Sequence, residues 1–161
     1  MATLLVVHHS PTPTLASLTE AVLAGAGDEA LEGLAVEARP ALEATAADVL
    51  GADGIVLVSS ANFGYMSGAL KHFFDTTFLE IGGSLSDDGS AAGAGGGRLP
   101  FGLVVHGRYD VTGAVRAVLA ITGALPWRQC ADVLEVLGEI DDGVRASAYD
   151  LGGTIGALAL G

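Results

Sequence analysis

Short apolar runs alternate along the chain with segments whose apolar residues recur every three or four positions. The runs are rich in Val, Leu and Ile and too short for helices, so they predict strands. They lie at Thr3–His8, Leu34–Val36, Gly54–Val58, Phe101–Val105 and Val133–Leu137. The segments between and after them have the spacing of amphipathic helices, with apolar positions at residues 15–22, 70–78, 115–119 and 144–158. A shorter helix is predicted at Ala44–Leu50.

This order of strand and helix predicts a mostly parallel sheet with helices on both faces. Right-handed crossovers place every strand-to-helix loop at the same edge of such a sheet. Ligands of open α/β sheets bind at that edge, where the strand order reverses. We therefore look for functional residues directly after the first, third and fourth predicted strands.

One long stretch, Ile81–Pro100, interrupts the pattern and reads IGGSLSDDGSAAGAGGGRLP. Because it can bury almost no apolar surface, we expect residues 81–99 to form a flexible, Gly-rich surface loop. Its glycines are poor candidates for a phosphate cradle, since no strand leads into GAGGG and no helix follows it directly. The remaining pattern predicts a single domain over residues 1–161.

Charge and composition narrow the functional classes. Lys and Arg total 7 against 19 Asp and Glu, a formal net charge of −12, so we expect neither nucleic acid nor an anionic membrane as a partner. The apolar N-terminus lacks the basic region of a signal peptide, and we expect a cytoplasmic protein. No metal site is expected, because adjacent His8 and His9 point to opposite faces of a strand and Cys130 is the only cysteine.

The loop after the first strand, HHSPTPTLAS, offers the hydroxyls of Ser10, Thr12 and Thr14. Pro11 and Pro13 stiffen the turn, and a helix N-terminus with free backbone N–H groups follows. Hydroxyls at a helix N-terminus suit a phosphate monoester, even without basic side chains. The alternative is an ordinary Ser/Thr N-cap with prolines that shape the turn.

The loop after the third strand, SSANFGYMSGALKHFFD, combines glycines with flat and polarisable side chains. Gly64 allows close approach of the backbone, while Phe63, Tyr65 and Met66 could support a planar heterocycle. Ser67 is placed to cap the following helix. The alternative is an ordinary strand-to-helix turn whose aromatic residues belong to the core.

FGYMSGALKHFFD resembles the FGxMSGxxKxFxD signature of flavodoxin-like NAD(P)H-dependent FMN reductases and related quinone oxidoreductases. HSPTPT resembles the hydroxyl-rich phosphate loop of flavodoxins, although Pro13 stands where a glycine is common. The resemblance implies a flavodoxin-like three-layer α/β sandwich with a five-stranded parallel sheet in the order 2-1-3-4-5. It also implies non-covalently bound FMN.

The resemblance places a third part of the FMN site after the fourth strand, where a backbone-presenting loop wraps one edge of the ring. Asp110 has the alternative role of a helix N-cap, and Arg108 is either a solvated loop residue or a partner for a nucleotide phosphate. No side chain is assigned as a catalytic acid or base, because the cofactor supplies the reactive atom. The implied cofactor-binding residues are Ser10, Thr12, Thr14, Leu15, Ser60, Ala61, Asn62, Phe63, Gly64, Tyr65, Met66, His106, Gly107, Tyr109, Asp110 and Gly113.

Other classes lack their defining residues. A phosphate-accepting receiver domain needs acidic residues after the first strand and an Asp after the third, where this chain has His8 to Ser10 and Ser59 to Ser60. The only approximate G-x-G-x-x-G match begins at Gly25, at the end of the first predicted helix rather than before it. The G-x-S-x-G elbow of serine hydrolases is absent from the sequence.

Two functions therefore stay open. One is an enzyme that passes electrons from NAD(P)H through FMN to a flavin, a quinone or another small acceptor. The other is an electron carrier that docks on a redox protein. The FGxMSG segment resembles the reductases, whereas the acidic composition suits a carrier. We favour the reductase, because Tyr109 alone in the third loop would shield the ring further and one face would stay open. A homo-oligomer is possible in either case.

Overall fold

Seven strands form the sheet of the described chain, and helices cover both of its faces. The computed structural model describes residues 1–83 and 98–161. The strands are β1 (Ala2–His8), β2 (Leu34–Pro40), β3 (Gly54–Asn62), β4 (Tyr65–Met66), β5 (Leu99–Gly107), β6 (Trp127–Gln129) and β7 (Leu134–Leu137). The helices are α1 (Pro13–Ala26), α2 (Ala46–Leu50), α3 (Gly68–Thr77), α4 (Thr112–Thr122) and α5 (Asp142–Leu160), with a short 3-10 helix at Glu29–Leu31.

The strands lie in the order β2-β1-β3-β5-β6, and each of these neighbouring pairs is parallel. β7 also pairs with β5, beside the end of that strand, whereas β6 pairs beside its beginning. The two short strands thus share one edge position, which corresponds to the fifth predicted strand. The predicted order 2-1-3-4-5 is confirmed, and the edge strand is split in two.

Two apolar layers, one on each face, hold the helices to the sheet. On one face α2, α3 and α4 pack against the strands, with Phe73, Phe74 and Leu103 among the buried side chains. On the other face α1 and α5 pack against side chains that include Val6 and Val104. The central strands are buried on both faces, which explains their continuous apolar sequence.

Close helix–helix contact on the second face depends on glycine. A Cβ atom at Gly152 of α5 would overlap the carbonyl oxygen of Val22 in α1, and one at Gly25 of α1 would overlap the carbonyl oxygen of Tyr149 in α5. The backbones of α1 and α5 therefore touch without intervening side chains. Beside this contact the Tyr149 hydroxyl donates a hydrogen bond to the Asp28 carboxylate.

Most of the predicted Gly-rich loop, residues 84–97, lies outside the described residues, so its flexibility stays a prediction. In the part of the chain that the structure describes, no helix is long and apolar enough to cross a membrane.

The glycine contact gives a stability prediction. Gly152→Ala should lower the free energy of unfolding by about 1–3 kcal/mol, because the added methyl group forces α1 and α5 apart. The neighbouring Gly153→Ala is the control, since its added Cβ would lie 3.5 Å from the nearest atom, the carbonyl oxygen of Gly25. That variant should be neutral or stabilised by up to about 1 kcal/mol through helix propensity. Urea denaturation of both variants measures the difference, and equal stabilities would contradict the packing argument.

Candidate functional site

The β1–α1 loop presents a helix N-terminus at the carboxyl edge of the sheet. Thr12 is the N-cap of α1, and its Oγ1 accepts a hydrogen bond from the N–H of Leu15 at 3.2 Å. Pro13 occupies the first turn, as the N-cap interpretation of this loop anticipated. A proline has no N–H, and the N–H of Ala16 donates to Thr12 O at 2.9 Å. Because the first N–H groups of a helix have no intrahelical acceptor, the N–H of Thr14 can donate to a group outside α1.

Ser10 belongs to a hydrogen-bonded chain beneath this loop. Its Oγ lies 3.0 Å from Nδ1 of His8 and 2.8 Å from Oγ1 of Thr19, which is buried on the second turn of α1. Burial lowers the pKa of His8, and the neighbouring His9 lowers it further. The loop is therefore tied to both β1 and α1 through one serine hydroxyl.

Two adjacent serines end the buried part of β3 and behave differently. Ser59 Oγ donates to the carbonyl of Ser60 at 2.8 Å and accepts from the N–H of Ser67 at 3.1 Å. Ser60 is only 9% exposed, and its Oγ has no hydrogen-bond partner among the described residues. A buried hydroxyl without a partner costs about 1–3 kcal/mol. A ligand oxygen at the carboxyl edge would supply that partner.

β3 and β4 form a tight hairpin rather than an open loop. Ala61 pairs with Met66 and Asn62 with Tyr65, so the turn consists of Phe63 and Gly64. Both turn residues have positive φ, 51° for Phe63 and 79° for Gly64, as a type I′ hairpin turn requires. Phe63 is strained in this region, because a residue with a Cβ atom rarely adopts a positive φ.

The side chains of this hairpin separate into two groups. Phe63 is fully exposed at the tip and Tyr65 is 43% exposed, whereas Met66 is buried in the core. The flat surfaces available to a ligand therefore come from Phe63 and Tyr65, and the Met66 side chain is not among them. The core interpretation of the aromatic residues in this segment holds for Phe73 and Phe74 of α3.

The residues at the two ends of the β5–α4 loop contact the hairpin and the residue that follows β7. A Cβ atom at Gly113 would overlap the carbonyl oxygen of Gly64, so the first turn of α4 packs directly on the hairpin turn. On the other side, Nε2 of His106 donates to the carbonyl of Gly138 at 2.7 Å, and the N–H of Gly138 donates to Gly107 O at 2.9 Å. The loop is thus held from both directions.

Asp110 organises the loop itself. Its Oδ1 accepts from the N–H of Thr112 at 3.0 Å and from the Thr112 hydroxyl at 2.7 Å. These hydrogen bonds, with that to the hydroxyl contributing most, lower the pKa of Asp110. The N-cap of α4 is Val111, so the interpretation of Asp110 as the helix N-cap is wrong. Tyr109, 85% exposed, and Arg108 project from the loop into solvent.

The three loops meet because β1, β3 and β5 are consecutive in the sheet and parallel. They bring together free hydroxyls, backbone groups and exposed aromatic rings at one edge. Leu15, like Met66, is buried in the core, and its N–H is used by the N-cap. Four residues support the candidate site without having been predicted to do so: His8, Thr19, Ser59 and Gly138. Thr19 alone gave a signal, as a hydroxyl among the core-facing positions Leu15, Leu18 and Val22.

The chain is 32% identical over 129 residues to a flavodoxin from Aquifex aeolicus (strain VF5), a match that covers 70% of this chain and 69% of that protein. The chain belongs to the flavodoxin family. No family model matches it. The hydroxyl-rich loop and the FGYMSG segment, which carry the resemblance in the sequence, lie at one edge of its sheet.

Solved structures share the fold of this flavodoxin-family protein. A flavodoxin from the domain Archaea superimposes with a TM-score of 0.77 at 16% identity, over 99% of both chains. A WrbA-like flavodoxin protein from Agrobacterium tumefaciens superimposes with a TM-score of 0.72 at 17% identity, over 99% of this chain and 98% of that chain. The flavodoxin-like three-layer α/β architecture is confirmed.

The contact between α4 and the hairpin turn can be tested directly. Gly113→Ala should push the hairpin off α4, because overpacking at such a contact costs about 1–3 kcal/mol. Exchange of the Tyr65 amide, followed by NMR, should then accelerate by roughly tenfold or more. Gly68→Ala is the control, since no atom lies within 4 Å of its added Cβ. Unchanged exchange in Gly113→Ala would show that this contact does not hold the hairpin.

Proposed function

We propose that this protein binds FMN non-covalently at the carboxyl edge of its sheet and works as an electron-transfer flavoprotein. The observation that carries the proposal is that three features suited to binding FMN lie at that edge. These are a helix N-terminus at Thr14, the buried hydroxyl of Ser60, which has no partner among the described residues, and the exposed rings of Phe63 and Tyr109. A phosphate, a hydroxylated chain and a flat ring are the parts of one FMN molecule.

Each part of the proposed site has a physical role. The N-terminus of α1 offers a positive dipole end and an unused N–H for the phosphate, helped by the hydroxyls of the Ser10–Thr14 segment. No Lys or Arg precedes Arg39 in the chain, so the loop itself offers a phosphate hydrogen bonds and the helix dipole instead of a Lys or Arg side chain. The hairpin turn and the Gly107–Asp110 segment present backbone groups and aromatic surface to the ring. When bound, FMN supplies a ring that accepts and releases electrons.

The exposed aromatic residues favour an electron carrier. Phe63 and Tyr109 come from two different loops, and both are free to cover a ring that lies between them. A ring covered on both faces leaves only an edge for electron transfer to a partner. The net charge of −12 suits docking on a basic region of a redox protein. The flavodoxin relative from Aquifex aeolicus supports the same function.

A reductase that takes electrons from NAD(P)H is the second candidate, and the FGYMSG segment favours it. In this function one face of the ring stays open to the nicotinamide, and exposed Arg108 is placed to meet a nucleotide phosphate. The acceptor would be a flavin, a quinone or another small molecule. The two candidates differ in what reduces the bound cofactor.

FMN should bind more tightly than riboflavin, and replacing Ser60 should separate binding from stability. Ser60→Ala removes a hydroxyl without a partner, so the FMN-free protein should become more stable by about 1–3 kcal/mol. The same change should weaken FMN binding by about tenfold, because a hydrogen bond to the ligand is lost. Fluorescence titration and urea denaturation measure the two effects.

Ser59→Ala is the matched control for this experiment. Its hydroxyl makes two hydrogen bonds within the protein, so the variant should lose stability instead. Equal affinities for FMN and riboflavin would refute a phosphate site. Unchanged FMN affinity in Ser60→Ala would remove that hydroxyl from the site.

The choice between carrier and reductase rests on anaerobic reduction. A carrier should keep its flavin colour for minutes in excess NADH or NADPH and lose it with dithionite, because Phe63 and Tyr109 cover the ring. Stopped-flow absorbance with each nucleotide measures the rate. Bleaching by either nucleotide at typical enzymatic rates of about 1–1,000 per second, followed by repeated turnover with a quinone, would establish the reductase instead.

A further inference from the structure

His8 occupies an unusual position beneath the phosphate loop. It is the last residue of β1 and follows Leu4 and Val6 on the face that packs against α1 and α5, because side chains alternate along a strand. Its ring is half-buried, and Nδ1 lies 3.0 Å from Oγ of Ser10. Ser10 Oγ in turn lies 2.8 Å from Oγ1 of Thr19.

The protonation state of His8 decides what the Ser10 hydroxyl can do. Ser10 has a single proton to donate. When Nδ1 of His8 is an unprotonated acceptor, that proton is donated to the histidine. When Nδ1 carries a proton, in the other neutral tautomer or in the doubly protonated ring, Nδ1–H donates to Ser10 Oγ, and the hydroxyl proton is free for another acceptor. A phosphate dianion accepts hydrogen bonds and donates none, so it favours a proton on Nδ1. Of the two forms, only the doubly protonated ring also adds a positive charge beside the dianion, so the dianion favours that form.

We propose that His8 is the proton-carrying positioning residue of the phosphate site: a phosphate monoester binds as its dianion while His8 takes up one proton from solvent and releases the Ser10 hydroxyl towards the phosphate. The proposal rests on the FMN-binding function proposed above. It assigns a positive charge at this loop, which has no Lys or Arg, to a histidine that contacts the ligand only through Ser10.

The charged side chains on the neighbouring strands do not raise the pKa of His8, so that role is left to the ligand. On β2 the pairing partner of His8 is Pro40, and the adjacent Arg39 is paired with Glu37 and Asp48. On β3 the partner is Val58.

The charged side chains of α1 and α5 that are nearest this end of β1 are exposed or paired. Glu20 of α1 is exposed, and Arg145 of α5 pairs with Asp142 while its Nε lies 3.4 Å from Ser17 Oγ. His9 is the charged neighbour that lowers the pKa of His8, after burial. A bound dianion would therefore be the group that raises it.

The pH dependence of FMN affinity follows from the two pKa values of His8. In the free protein the pKa of His8 lies below its ordinary value of about 6.5, and in the complex the phosphate raises it. The gain in FMN affinity from protonated His8 is thus complete at a pH below the pKa of the free protein. It is lost as the pH rises through the pKa of the complex. Each unit of difference between the two pKa values corresponds to about a tenfold change in affinity.

The test measures FMN dissociation constants from pH 5.5 to 8.5 for the unmodified protein, His8→Gln and the matched control His9→Gln. The phosphate of FMN itself titrates near pH 6, but it does so equally in all three proteins. The ratio of affinities between unmodified protein and His8→Gln should therefore fall by about tenfold or more across this range. In His9→Gln the pH dependence should persist but move towards higher pH, because removing His9 raises the pKa of His8.

A second measurement needs no variant. At pH 7.5 the FMN phosphate is already a dianion, so calorimetric titration of the unmodified protein in buffers of different ionisation enthalpy reports the proton taken up by the protein. Uptake that disappears above the pKa of the complex and is absent for riboflavin is expected. A flat affinity ratio with tight FMN binding, or zero uptake, would overturn the role of His8 alone. Equal binding of FMN and riboflavin would instead overturn the phosphate site on which it rests.

Discussion

The parallel pairing of β3 with β1 on one side and β5 on the other sets the position of every functional loop. These three strands run in the same direction, so their carboxyl ends lie side by side and the chain must leave each of them at the same edge. The buried side chains of β3 fix the register on both faces, because a shift by one residue would exchange the two apolar layers. The register in turn aligns Ser60 with His106 on the neighbouring strand.

The strand and helix pattern was readable from the sequence because the buried strands are continuous apolar runs and the helices keep a regular spacing. β6 and β4 were not. Trp127–Gln129 has three residues, two of them exposed, so it carries no alternation that could predict a strand. The Phe63–Gly64 turn places a phenylalanine at positive φ, where hairpins usually have Asn or Asp, and the usual signal for a two-residue hairpin was missing.

The candidate site likewise contains residues that the sequence could predict and contacts that it could not. Residues whose role depends on chain position, such as the capping Thr12 and Ser67, could be predicted, because a hydroxyl before a helix has few other uses. Contacts across the fold could not. The hydrogen bond from His106 to Gly138 joins residues 32 positions apart and depends on how β7 lies against β5. Nothing in the sequence near either residue indicates it.

The glycine contact between α1 and α5 has a consequence at a distance. α1 has 14 residues, so it is about 21 Å long. Its C-terminal half is fixed by backbone contact with α5 at Gly25 and Gly152, while its first turn carries Thr12 and Thr14 at the other end. Because the helix is rigid, a small tilt forced at the glycines would become a larger displacement of the hydroxyls at its other end. Residues far from the site therefore help to set its geometry.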